Sequence, residues 1–117
     1  MKKLLLILCL LLVACSKEIT YQQVSMSEGI ALMNEDDDYV LVDVRTYEEY
    51  EEYHIPNAIC IPNESINDQD IKQLPDKKQT IYVYCRSGNR SKQASEKLVK
   101  LGYENVIEIG GIIDYQP

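Results

Sequence analysis

Within the 117-residue chain, the run Tyr82-Val83-Tyr84-Cys85-Arg86-Ser87-Gly88-Asn89-Arg90-Ser91 has residue types and spacing suited to thiolate chemistry. A β-type segment, Thr80 to Tyr84, leads directly into Cys85. A short loop follows, and a helix is expected to open near Ser91. A sulfur held there meets backbone N–H groups of the loop and the positive end of the helix dipole. Gly88 and Asn89 tolerate positive φ, so the loop can curl around the sulfur. Arg86 and Arg90 place two permanent charges within a few residues. All of this favours the thiolate over the thiol and so makes a nucleophile. A small buried cysteine closing a strand is the commoner role. Two arginines and a Gly-Asn turn directly after the cysteine favour catalysis instead.

The elements around this loop read as alternating strands and helices. Ser25-Met26-Ser27-Glu28 has capping-box spacing and predicts a helix to about Met33. Tyr39 to Val44 is a near-continuous apolar run, as expected of a strand buried on both faces. Thr46-Tyr47-Glu48-Glu49 opens a second short helix to about Tyr53, and Ala58 to Ile61 reads as a strand. Asp68 to Leu74 is expected to be helical. Ala94, Leu98 and Leu101 mark the inner face of a helix that Gly102 stops, and Asn105 to Ile109 is a last strand. This order argues a single α/β domain with a mostly parallel central sheet flanked by helices. Sites in such sheets lie beyond the C-terminal ends of strands, where Cys85 falls.

The N-terminus reads as a processing segment. Lys2 and Lys3 precede the apolar run Leu4 to Leu12, which is shorter than the roughly 20 residues a spanning helix needs. Leu12-Val13-Ala14-Cys15 resembles the lipobox of bacterial lipoproteins. That resemblance implies a signal peptide over 1–14 and lipidation of Cys15 by acyl chains such as palmitate. It further implies a tether over 15–23, a domain over 24–117, and attachment to a membrane of the cell envelope on its extracytoplasmic side. Cleavage removes two lysines and no acid, which takes the net charge from −7 to −9 over 103 residues. So acidic a domain is not expected to bind nucleic acid. Cys9 lies in the signal core, leaving Cys60 and Cys85 in the domain. An exported protein with two cysteines can carry a disulfide, a reading that competes with a free nucleophile. Two cysteines and one histidine show no metal-ligand spacing.

Leu41-Val42-Asp43-Val44-Arg45-Thr46, with His54-Ile55-Pro56-Asn57-Ala58 and Ile61-Pro62, resembles the first half of a rhodanese-like domain. Val83-Tyr84-Cys85-Arg86-Ser87-Gly88-Asn89-Arg90-Ser91, with Leu101-Gly102-Tyr103 and Gly110-Gly111-Ile112, resembles its second half. The resemblance implies a sulfurtransferase in which Cys85 carries a persulfide from a small sulfur-containing anion, such as thiosulfate, to a thiol or cyanide acceptor. It calls for no cofactor. Arg86, Ser87, Gly88, Asn89, Arg90 and Arg45 are then expected to line the substrate loop, with Asp43 as structural support. The loop length is that of sulfurtransferases, while related phosphatases carry one residue more. A thiol-redox or phosphatase/arsenate-reductase-like enzyme using Cys85, and a non-catalytic binding module, stand as alternatives. Cys60 is either strand packing or a resolving thiol. His54, beside Ile-Pro in a turn, reads as structural, and Tyr47, Tyr50 and Tyr53 as a packing stripe. Tyr115 fills a position where the family usually has an aromatic, often Trp.

Overall fold

The structure, a computed structural model, describes residues 20–117; Cys15 and the segment 1–14 lie outside the described residues. Five parallel strands form one sheet: β1 (Gln22–Gln23), β2 (Tyr39–Asp43), β3 (Ile59–Cys60), β4 (Thr80–Cys85) and β5 (Asn105–Gly111). Their order across the sheet is β1-β5-β4-β2-β3. Among the described residues three α-helices accompany them: α1 (Met26–Asn34), α2 (Tyr47–Glu52) and α3 (Asn89–Lys100).

Strand alternation divides the core between the two faces of the sheet. Ile81, Val83 and Cys85 of β4 pack with Val42, Val44, Ala94, Leu98 and Val106 on the α3 side. Tyr82 and Tyr84 point the other way, among Met26, Met33, Leu41, Ile55 and Ile109. A central parallel strand is covered on both faces, which is why β2 and β4 are apolar almost throughout. Helix α1 approaches β5 at Gly29, where even a methyl group would run into the Ile109 side chain.

Local chemistry sets the helix starts. The Ser25 hydroxyl accepts from the Glu28 N–H at 3.2 Å. At α2 the box is reciprocal: the Thr46 hydroxyl accepts from the Glu49 N–H, and Glu49 Oε1 accepts from the Thr46 N–H, both at 3.2 Å. Helix α3 opens at Asn89, two residues before Ser91, because Gly88 takes the capping position at φ +112°. Asn89 itself is helical; among the described residues the non-glycine residue at positive φ is Asn57, at 73°. Gly102 at φ +99° ends α3.

Three expectations are corrected. No helix forms over 68–74; the chain there turns, with Asn67 Oδ1 accepting from the Gln69 N–H at 3.0 Å. Only Ile71 and Leu74 in that stretch are apolar, and Pro75 disfavours helical backbone at Leu74. Residues 22–23, expected in the tether, form an edge strand paired with Ile107 and Glu108. The tyrosine stripe also fails. Tyr47 and Tyr53 are exposed and only Tyr50 packs inward. At about 100° per residue, positions i and i+6 of a helix do not share a face.

Candidate active site

Strand β4 delivers Cys85 to its C-terminal end, where the register with β5 breaks. Val83 pairs with Glu108 and Cys85 with Gly111, so Ile109 and Gly110 together oppose Tyr84. This bulge, with Gly110 at φ +84°, swings Gly111 beneath the loop that follows Cys85. The short turn Ile112–Asp114 holds the loop from the far side, through the Ile113 N–H to the Arg86 carbonyl at 3.3 Å.

The Cys85 sulfur sits in a cradle of donors. The Gly88 N–H points at it from 3.0 Å, and the Ser91 hydroxyl lies 3.4 Å away. Cys85 is only 1% exposed. Burial opposes the thiolate, but the Ser91 hydroxyl and the N–H groups of Ser91, Gly88 and Ser87 outweigh it, and the thiol ionises below its ordinary value. The charge is stabilised by fixed donors of the loop and the first turn of α3 more than by the arginines.

The two loop arginines have different fates. Arg86 is exposed and has no ion-pair partner among the described residues. Arg90 is held by Glu49 of α2 through two hydrogen bonds, Nη1 to Oε1 at 2.7 Å and Nη2 to Oε2 at 3.1 Å. The pair ties α2 to the loop and offsets much of the charge expected to face the sulfur. Ser87 and Asn89 are exposed, so Ser87 reaches Cys85 through its backbone.

Arg45 follows the end of β2, level with the loop, and its guanidinium turns to Asp43 and the Tyr84 ring. Its Nη2 donates to Asp43 Oδ2 at 2.7 Å and to the Tyr53 carbonyl at 2.6 Å. Asp43 is fully buried and also accepts from the Arg45 N–H and the Tyr84 hydroxyl, at 2.9 and 2.8 Å. The Tyr84 hydroxyl in turn accepts from the Ile55 N–H. This network fixes the turns after β2 and α2. His54 stacks on Tyr50 and donates from Nδ1 to its carbonyl at 2.8 Å.

Cys60 and Cys85 are both free. Cys60 pairs with Asp43, which pairs with Tyr84, so two strand spacings of about 4.8 Å each separate β3 from β4. That exceeds the roughly 4.4–6.8 Å between the Cα atoms of a disulfide. Bridging them requires backbone movement.

Two residues at the site escaped sequence reasoning. Ser91 was expected only to open the helix, yet its hydroxyl faces the sulfur. Glu108 is 3% exposed, and its Oε2 accepts from the Ser91 hydroxyl at 2.5 Å and the Gly110 N–H at 2.7 Å. Within Val-Ile-Glu-Ile it reads as an outward-facing residue of an alternating strand, and nothing local signals otherwise.

The rhodanese-like domain model matches residues 25–116, which include every residue of this site. The chain belongs to the rhodanese-like domain family. It is 40% identical over 73 residues to thiosulfate sulfurtransferase PspE of Escherichia coli, covering 62% of this chain and 70% of that one. It is also 38% identical over a 95-residue alignment to the tRNA uridine(34) hydroxylase of Yersinia enterocolitica; the match covers 76% of this chain but only 27% of the hydroxylase. Among solved structures, a rhodanese-like domain protein from Staphylococcus aureus superposes with a TM-score of 0.69 at 30% identity. The match covers 81% of this chain and 91% of that one. A rhodanese with anions from E. coli superposes at 0.61, with 38% identity over 66% of this chain and 91% of that one.

Proposed function

We propose that this rhodanese-like protein is a sulfurtransferase that carries sulfane sulfur on Cys85. The observation that carries the reading is the donor cradle: a buried sulfur facing the Gly88 N–H at 3.0 Å and the Ser91 hydroxyl, with its ionisation favoured. The similarity to PspE, itself a thiosulfate sulfurtransferase, supports thiosulfate as the first donor to try.

The exchange has two displacements. The Cys85 thiolate attacks the outer sulfur of thiosulfate; the new Sγ–S bond forms as the donor's S–S bond breaks, and sulfite leaves with the electron pair. The negative charge then rests on the terminal sulfur of the persulfide, beside the loop N–H groups. Cyanide or a thiolate attacks that sulfur, giving thiocyanate or an acceptor persulfide, and Cys85 leaves as the thiolate. No proton transfer is needed in either displacement. Arg86, exposed beside the loop and without a carboxylate partner among the described residues, is suited to attracting an anionic donor.

The test is thiocyanate formation from thiosulfate and cyanide by the purified chain. Activity that is lost in Cys85→Ser supports the reading; activity that survives this substitution contradicts it. The lipobox-like Leu-Val-Ala-Cys further supports attachment through an acylated Cys15 to a membrane of the cell envelope. Release from the membrane fraction in Cys15→Ala tests this part.

A further inference from the structure

The Ser91 hydroxyl has one proton and several acceptors within reach. Glu108 Oε2 lies at 2.5 Å, the Gly88 carbonyl at 3.0 Å, Cys85 Sγ at 3.4 Å and the Gly110 carbonyl at 3.5 Å. One hydroxyl proton cannot serve a thiolate and a carboxylate together. Cys85, Ser91 and Glu108 are 1%, 0% and 3% exposed, so two negative charges joined by one hydroxyl would repel each other without water between them. No cation forms an ion pair with Glu108 among the described residues.

We propose that Cys85, Ser91 and Glu108 share one proton, and that Glu108 is the buried acceptor that takes it when the sulfur becomes a thiolate. The transfer is balanced within the three groups. The Cys85 S–H bond breaks as its proton moves to Ser91 Oγ, and the original Ser91 proton passes to Glu108 Oε2. In the first arrangement Cys85 donates to Ser91 and Ser91 donates to the carboxylate. In the second the carboxyl donates to Ser91 and Ser91 donates to the thiolate. Net charge is unchanged, so the buried nucleophile forms without exporting a proton to solvent.

The surroundings permit this. Helix α3 contributes Arg90, engaged with Glu49 of α2, and Lys92, whose amine is 3.9 Å from where a Cβ on Gly88 would stand. Strand β4 contributes only Cys85 near Glu108, and β1 contributes the uncharged Gln23 opposite it. Glu108 touches no substrate in this scheme; it is a positioning residue that acts through Ser91.

The proposal rests on Cys85 as the nucleophile, and its test uses alkylation, which requires no sulfur donor. It therefore stands or falls separately from sulfur transfer. The rate of iodoacetamide reaction at Cys85 is followed against pH in the full chain, with peptide mapping. The native protein is expected to show two ionisations more than about one pH unit apart. Glu108→Gln is expected to show one, because an amide still accepts hydrogen bonds but takes up no proton. The same single step in both proteins, or two steps in both, overturns the proposal. Should Glu108→Gln not fold, the carboxylic-acid carbonyl band in infrared difference spectra decides. It is expected in the native chain at neutral pH and lost in Cys85→Ala, and its absence from the native chain overturns the proposal.

Discussion

Gly111 lies directly beneath the peptide that leaves the nucleophile: a Cβ on it would stand under 3.0 Å from the Arg86 carbonyl and from the Ser87 Cα. These are backbone atoms of the cradle itself, so relief requires moving the loop. Gly110, its neighbour, has open space around it and needs glycine only for its φ of +84°. Gly110→Ala should therefore cost about 1–2 kcal/mol of stability with little change at Cys85. Gly111→Ala should cost about 1–3 kcal/mol and also slow Cys85 alkylation. Urea unfolding together with alkylation rates separates the two. Equal alkylation rates in both variants would contradict the close approach.

The clasp between Glu49 and Arg90 should show in acid. Hydrogen bonds from Arg90 lower the Glu49 carboxyl from 4.5 to about 2; burial opposes this and the Thr46 N–H assists it. Because the folded value is the lower one, the stabilisation is complete above 4.5 and is lost as pH falls towards 2. The pair is partly exposed, so its size is no more than about 1 kcal/mol. Unfolding midpoints on either side of that window should differ less in Glu49→Gln than in the native chain. An identical acid dependence in both would dismiss the clasp.

The two cysteines should differ sharply in reactivity. Burial, followed by the charge of Asp43, pushes Cys60 up to about 11, with Arg45 only partly opposing. Its thiolate fraction at neutral pH is then on the order of one in ten thousand. Limited iodoacetamide should label Cys85 and spare Cys60, and Cys60→Ser should leave sulfur uptake intact. Comparable labelling of the two, or uptake that depends on Cys60, would point to a resolving thiol.

The network around Asp43 should be separable from the chemistry at Cys85. Tyr84→Phe removes the hydroxyl that donates to Asp43 and accepts from the Ile55 N–H, leaving buried groups short of partners. Chemical denaturation should show a loss of about 1–3 kcal/mol. The Cys85 alkylation rate should hold, because the Tyr84 side chain lies on the opposite face of the sheet.

What was legible in the sequence was local. The Thr46 box, the inward Ala94 and Leu98, the Gly102 stop and the Cys85 loop each act over a few residues, and each reads directly. The family motifs around Asp43 and Gly110-Gly111 carried the overall fold. What was hidden depends on pairing across the sheet or between elements. Arg90 meets Glu49 from 41 positions away, which turns an expected active-site charge into a clasp. Glu108 enters the site only because β5 bulges opposite Tyr84. Residues 68–74 misled because a polar stretch with two apolar residues suits a turn as well as a helix.

Sulfur loading of Cys85 is decided by the intact mass of the full chain after thiosulfate treatment. A sulfurtransferase gains one sulfur atom, which cyanide removes and Cys85→Ser does not acquire. A fully reduced protein that gains no sulfur, or gains it equally in Cys85→Ser, is not loaded at Cys85.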